Sequence, residues 1–190
     1  MSKSVLISIR PEWVELIVSG KKTIEVRKSR PKLEPPFTCY IYCTKGKDLW
    51  LAGVIGKREA AKLNGKVIGE FVCNAMFPIS FYASDAAFFD TEPPLDVPGT
   101  CLTDREIVEY LGNGKTGYGW NISDLKIYDE PKLISDFKRW NRTEENSPCA
   151  HTKALYEPCD SCKECNLKAA PQSWCFVEEL REELHNMNLK

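Results

Sequence analysis

The spacing of apolar and polar residues predicts a strand, a helix and a second strand at the start of the chain. Apolar side chains alternate with other residues from position 5 to position 9, the period of a β-strand. Pro11 then begins a predicted helix, because the first helical position needs no backbone N–H. Gly20 ends that helix as a C-cap. From Thr23 to Arg27 the two-residue period returns and predicts the second strand.

Further along, the same patterns predict several short strands and few helices. A capping box formed by Thr103 and Glu106 begins a helix that ends before Gly112, and Gly69 indicates a bulge or a close approach. Many short strands favour an α+β fold built on a small mixed or antiparallel barrel, although the first three elements also fit a parallel βαβ unit. The other predicted elements are strands at 39–43, 66–73, 118–122 and from 174, short helices at 58–63 and 132–140, a loop over 83–101 and a charged tail from 178.

Length and composition are those of an ordinary globular protein. A chain of 190 residues predicts a single domain, 1–190. Its 43% hydrophobic and 28% charged residues exclude the disordered and coiled-coil classes. The sequence contains no apolar run long enough to predict a membrane span. Arg10, Glu12 and Glu15 interrupt the apolar residues that a signal peptide would need, so we expect a cytoplasmic protein.

Charge is unevenly distributed, although the net charge is only −1. Residues 1–66 hold 14 Lys and Arg against 6 Asp and Glu, whereas the remainder holds 12 against 21. A basic half indicates an anionic ligand such as nucleic acid, or simply a solvated lysine surface. Because the acidic half would repel a long duplex, a short or single-stranded anion fits better.

The most informative stretch is the second strand, where Thr23, Glu25 and Arg27 share one face. We expect Lys22 to lie at the turn, on the rim of a cleft beside this face. An arginine held by a neighbouring glutamate is aligned to present its planar fork to a phosphate or a base edge. The alternative is a solvated face whose surface ion pair contributes under about 1 kcal/mol.

Gly20, Lys22, Glu25 and Arg27 together resemble the G-x-K-x-x-E-x-R signature of the ASCH domain. The resemblance extends over most of residues 4–137 and over residues 171–179, and it is strongest to the small standalone ASCH proteins of bacteria and their phages. It implies a PUA-like β-barrel with a cleft beside the motif strand. In that cleft the resemblance implies binding of RNA or of a modified nucleoside by Lys22, Glu25 and Arg27.

The resemblance also implies an enzymatic alternative. One ASCH branch hydrolyses the amide of N4-acetylcytidine with Lys, Thr and Glu, and its lysine matches Lys22. Its threonine falls at Glu25, so this chain would need different chemistry, with Lys22 as base or oxyanion stabiliser and Glu25 activating water. The nearest guess for the branch's glutamate is Glu70. Some ASCH proteins cut RNA, so the resemblance also implies a ribonuclease that uses the same cleft. The two-histidine type is disfavoured because both histidines lie near the C-terminus, but a Lys/Glu/Arg cleft could still act weakly on phosphate.

Weaker candidates lie around the same strand. Arg10 and Ser8 leave the first strand on one face and would line the cleft as ligand-binding residues. Gln172 and Ser173 precede the last strand and would read a base edge. Tyr118 and Trp120 either stack on bases or, as alternating aromatic residues more often do, pack in the core.

Nine cysteines without an export signal argue against a complete disulfide framework. We expect the early ones to be small buried residues: Cys39, Cys43, Cys73 and Cys101.

The later cysteines fall in a polar segment, 141–170, that we interpret as an inserted loop. Its ligand pattern suits one structural zinc ion, which would order a loop that has little to bury. His151 can replace one thiolate, and an iron–sulfur cluster, disulfides or unbound cysteines are the alternatives. A zinc-stabilised adaptor that binds another protein is therefore a third functional hypothesis. The proposed ligands are Cys149, Cys159, Cys162 and Cys165.

Overall fold

Strands dominate the computed structural model, which describes residues 2–46, 63–82, 95–140 and 166–180. Two α-helices accompany them in these ranges, which confirms the mixed α+β class. In chain order the elements are β1 Lys3–Ile9, α1 Pro11–Val18, β2 Ile24–Arg27, β3 Phe37–Cys43, β4 Val67–Cys73, β5 Met76–Ile79, β6 Asp96–Val97, β7 Leu102–Thr103, α2 Asp104–Leu111, β8 Gly117–Asn121, β9 Ser123–Lys132, a 3-10 turn Ile134–Asp136 and β10 Trp174–Glu178.

The strands form two main sheets and one small one. The larger sheet has the order β10-β1-β3-β4-β9, the second has β2-β8-β5, and β6 pairs with β7. Strands β1 and β3 run parallel, and the other pairs are antiparallel. The first three elements therefore do not form a parallel βαβ unit. Strand β1 pairs in parallel with β3, and β2 belongs to the second sheet.

Both faces of the larger sheet are covered, because successive side chains of β1 alternate between two apolar clusters. Val5, Ile7 and Ile9 pack with α1 and with Trp120 of the second sheet. Leu6 packs on the opposite face, with Phe137. A third cluster lies beneath α2 and joins it to β2. This last cluster fixes α2 beside the motif strand.

Two local predictions about special positions are confirmed. A Cβ at Gly69 would collide with the carbonyl oxygen of Lys126, and the pairing of β4 with β9 shifts register there. The Thr103 side chain accepts a hydrogen bond from the backbone N–H of Glu106, whose carboxylate accepts one from the backbone N–H of Thr103. The capping box therefore sets where α2 begins.

Two other predictions were wrong. Residues 132–140 do not form a helix, since β9 continues to Lys132 and only a 3-10 turn follows. Lys138 and Arg139 then pair with the backbone of Asn166 and Val177, so tertiary strand pairing overrides the local helical tendency. Cys39, Cys43 and Cys73 are buried as expected, but Cys101 is exposed in a turn with φ +56°.

Several predicted segments fall wholly or partly outside the described residues: the short helix at 58–63, most of the loop at 83–101, the cysteine-rich loop and the tail beyond residue 180. Within the described ranges, no helix has the length and apolar character needed to cross a membrane.

Candidate functional site

The motif strand, β2, begins after a tight turn that fixes Lys22. Gly20 has φ +74°, a conformation that glycine adopts without steric cost, and the backbone N–H of Lys22 donates to the carbonyl of Leu16 over 2.9 Å. The backbone N–H groups of Thr23 and Ile24 both donate to the carbonyl of Gly99. The strand therefore enters the sheet in one fixed register.

Lys22, Glu25 and Arg27 form a buried charged triad. Glu25 Oε1 lies 2.9 Å from Arg27 Nη2, and Glu25 Oε2 lies 3.5 Å from Lys22 Nζ. The three residues are 2%, 6% and 8% exposed, respectively. The solvated-face alternative is therefore wrong, and so is the expected place of Lys22 at a rim, because its side chain folds inward over Glu25.

Lys22 occupies an environment that disfavours its charge. Burial lowers the pKa of Lys22 below its ordinary value, and the neighbouring Glu25 carboxylate offsets part of this effect. Lys22 Nζ also donates to the Thr100 carbonyl over 2.6 Å and lies 5.1 Å from the centre of the Trp13 ring. The amine is thus held on three sides.

Arg27 is held less completely. Its Nη2 donates to the Ser8 carbonyl over 2.6 Å, and its Nη1 lies 3.4 Å from Ser173 Oγ. Its buried Nε has no hydrogen-bond partner among the described residues. A buried donor without a partner is costly, so this end of the guanidinium is the incompletely satisfied part of the triad.

A cleft of about 470 Å³ opens beside the triad. Among its charged lining residues, Arg10, Lys22 and Arg27 outnumber Glu25 and Glu106, so the cleft favours an anion. The other lining residues are Ser8, Trp13, Val26, Thr44, Leu102, Tyr110 and Gln172.

The sequence analysis missed Tyr110, which α2 places in the cleft wall. Burial raises the pKa of Tyr110, and the charges of Arg27 and Glu25 act on the same hydroxyl, which therefore lies close to the triad. Lys28 Nζ lies 5.1 Å from the centre of the Tyr110 ring. The four-residue spacing from Glu106, which puts both residues on one helix face, was the available signal.

Some of the weaker candidates lie at the cleft and others lie in the core. Ser8, Arg10 and Gln172 line the cleft, and Ser173 contacts Arg27. Trp120 is fully buried in the core, and Tyr118 packs against the same cluster.

Glu70 is not part of the site. It lies on β4, where it accepts a hydrogen bond from the Tyr128 hydroxyl and lies 3.9 Å from Lys126 Nζ. The guess that it adjoins the cleft was therefore wrong.

The cysteine-rich segment belongs to the part of the chain that the structure does not describe. Cys149, His151, Cys159, Cys162 and Cys165 all lie in it. In the described ranges, no three His, Cys, Asp or Glu side chains gather into a group that could hold a metal ion.

Comparison with known proteins finds one family model that matches part of the chain. Residues 7–72 match the family model of the ASCH domain, which confirms the resemblance seen in the motif. No curated protein matches the chain.

Similar solved structures come from the ASCH protein of Zymomonas mobilis. The protein itself is 19% identical, covering 69% of this chain and 73% of its own, with a TM-score of 0.45. One point mutant of that protein is 20% identical, covering 70% of this chain and 77% of its own, with a TM-score of 0.46. A second point mutant is 20% identical, covering 68% of this chain and 73% of its own, with a TM-score of 0.44. At TM-scores below 0.5, these similarities carry no weight for the function of this chain.

Proposed function

We propose that this ASCH domain binds RNA or a modified nucleoside in the cleft formed around Lys22, Glu25 and Arg27. The observation that carries the proposal is the guanidinium of Arg27, which lines the cleft and keeps its buried Nε without a partner among the described residues. ASCH domains are associated with RNA binding, which agrees with this chemistry.

The composition of the cleft supports an anionic, acceptor-rich ligand of nucleotide size. The Glu25 carboxylate is already paired with Lys22 and Arg27, so its charge is offset and repels an anion little. Arg10 adds a further cation to the cleft lining. A cleft of about 470 Å³ lies within the usual range for small-molecule sites and excludes a duplex. The rings of Trp13 and Tyr110 offer surfaces on which one base can stack.

A hydrolase is the second candidate, because a buried lysine with a lowered pKa lies beside a carboxylate. A neutral Lys22 amine would take a proton from a water that attacks an amide carbonyl and return it to the departing amine. Glu25 occupies the position of the branch's threonine, so the nucleophile would be water rather than a side chain. Release of cytidine from N4-acetylcytidine by the purified protein, lost in Lys22→Met, would establish this activity.

We further propose that residues 1–190 form one domain, with a PUA-like barrel closed by the two main sheets. The segment 141–170 would be a loop inserted in it and held by zinc through Cys149, Cys159, Cys162 and Cys165, or with His151 in place of one of them. A protein-binding role for this loop remains the third candidate.

Binding measurements on an arginine variant test the cleft. Arg27→Lys keeps the positive charge but loses the planar fork and Nε, so affinity for cytidine monophosphate should fall at least about tenfold. Arg139→Lys, a matched change on an exposed arginine that does not line the cleft, should leave affinity unchanged. Equal affinity in wild type and Arg27→Lys, with both folded by thermal melting, would refute the cleft as the binding site.

A further inference from the structure

The segment that follows the motif strand carries three exposed cations, Lys28, Arg30 and Lys32, which we call the basic ridge. Glu34 is the one acidic residue in 28–36. We propose that the basic ridge guides single-stranded RNA out of the cleft, so that the protein binds an RNA strand by one nucleotide inside the cleft and by its neighbours along the ridge. This inference rests on the proposed function, because the cleft holds one nucleotide of the strand.

Two cations of the basic ridge are held in place by aromatic rings. Lys28 Nζ lies 5.1 Å from the centre of the Tyr110 ring, and Arg30 Cζ lies 5.4 Å from that of Tyr118. Both distances are within the range of cation–π attraction. The rings therefore limit the freedom of side chains that, on an ordinary solvated surface, would lose more conformational entropy on binding a phosphate.

The segment between these cations is also anchored. Trp174 Nε1 donates to Ser29 Oγ over 3.2 Å, and Pro31 is buried. The ridge is thus tied to β10 of the larger sheet, as well as to β2, which precedes it. A prearranged row of cations costs less to order on binding than a mobile tail of the same charge.

Tyr110 makes the basic ridge continuous with the cleft. Its ring contacts Lys28, while the residue itself lines the cleft. Tyr118, which contacts Arg30, lies directly opposite Arg27 in the pairing of β2 with β8. An RNA strand that leaves the triad therefore meets the cations of the basic ridge without crossing an acidic surface from the same loop.

Single-stranded RNA matches this surface better than other anions do. Exposed guanidinium groups and aromatic rings stack on unpaired bases, while lysines contact the phosphates. Residues 28–32 span at most about 18 Å, enough for a few nucleotides of one strand. An acidic protein would offer carboxylates to the cations but no bases for the planar groups.

Salt-dependent binding of a short oligonucleotide tests the basic ridge. The probe is oligocytidylate of about ten nucleotides, compared with cytidine monophosphate. In the triple variant Lys28→Ala, Arg30→Ala, Lys32→Ala, loss of three phosphate contacts should lower the slope of log affinity against log salt by about 2. The loss of affinity between about 50 and 200 mM salt should then shrink about 20-fold relative to wild type. Affinity for cytidine monophosphate should change much less than affinity for oligocytidylate, because none of the three residues lines the cleft.

A second triple variant provides the matched control. Lys126→Ala, Lys132→Ala and Lys138→Ala remove the same charge from β9 and the segment after it, including one lysine that lies 5.2 Å from the Tyr128 ring. These residues do not line the cleft. The control should keep the wild-type slope, and both triple variants should melt near the wild-type temperature.

Each other outcome decides between the ridge and the cleft. An unchanged oligocytidylate slope in the ridge variant, with Arg27→Lys still weakening both probes, would overturn the ridge and leave the cleft standing. A ridge-dependent slope without cytidine monophosphate binding to wild type would support the ridge and refute the cleft. Ridge-dependent binding of polyglutamate but not of oligocytidylate would overturn the RNA proposal in favour of an acidic protein. Binding of neither RNA probe to wild type would overturn both.

Discussion

Replacing Glu25 by glutamine should reveal how strongly the buried triad depends on its one carboxylate. The change keeps the size of the side chain but removes the charge that lies 2.9 Å from Arg27 Nη2 and 3.5 Å from Lys22 Nζ. Two buried cations then remain without a counter-ion. Removing one partner of a buried pair costs about 3–5 kcal/mol, and we expect about 3 because the amide oxygen can still accept from Arg27. For a domain of this size the melting temperature would fall by about 6–12 °C.

Chemical denaturation at pH 7 measures this loss, and a second substitution isolates its cause. Lys22→Met alone leaves the pair between Glu25 and Arg27 intact and should cost less than Glu25→Gln. In the double variant one of the two stranded cations is gone, so Glu25→Gln should cost about 1–3 kcal/mol less there than in wild type. Thr38→Val, which lies outside the triad, serves as a control for a polar change on β3 of the larger sheet and should show no such coupling.

The pH dependence of the same variant gives an independent check. Burial lowers the pKa of Lys22 and Glu25 raises it, so the pKa should fall further in Glu25→Gln. Where the folded pKa of a lysine lies below the unfolded value, the unfolded state binds more protons and stability rises with pH. The deficit of Glu25→Gln should therefore shrink as pH rises from 7 towards 10. A deficit below about 1 kcal/mol at pH 7, or one that neither pH nor Lys22→Met reduces, would refute the reasoning.

Three further predictions concern other parts of the chain. Protein purified without chelator should contain about one zinc per chain, and less than about one-tenth would contradict the proposed zinc loop. Burial raises the pKa of Cys43 from 9.0 to about 12, so stability present below pH 9 should be lost as the pH rises from 9 to about 12. Cys43→Ala should make the decline in unfolding free energy between about pH 10 and 11 shallower by about 1.4 kcal/mol. An unchanged slope would count against the pKa shift. Gly69→Ala should cost about 1–3 kcal/mol in denaturant unfolding because its Cβ would meet the Lys126 carbonyl, whereas a neutral result would show that β9 yields.

Features set by local sequence were predictable, and features set by distant contacts were not. The alternation in β1, the close approach at Gly69 and the capping box of Thr103 each depend on a few neighbouring residues, and each was confirmed. The burial of Lys22 depends on Thr100, which is 78 residues away in the chain, so the pattern around the motif placed the lysine at a rim instead. Strand pairing by Arg139 overrode the predicted helix for the same reason.

The candidate site shows the same division. The spacing of Glu25 and Arg27 correctly put them on one face, because a strand has a fixed period of two. It gave no indication that the pair is buried, since that depends on how α2 and the segment before β10 cover the strand. Tyr110 was missed because it reaches the cleft only through the packing of α2 on β2.

A crystal structure of the chain with cytidine monophosphate bound would test the central claim most directly. The account predicts the nucleotide in the cleft, with one of its oxygen atoms about 2.7–3.2 Å from Arg27 Nε and the Glu25 pairs intact. A nucleotide bound elsewhere on the surface, or an Arg27 Nε that bonds to the protein while the cleft stays closed to the ligand, would contradict it.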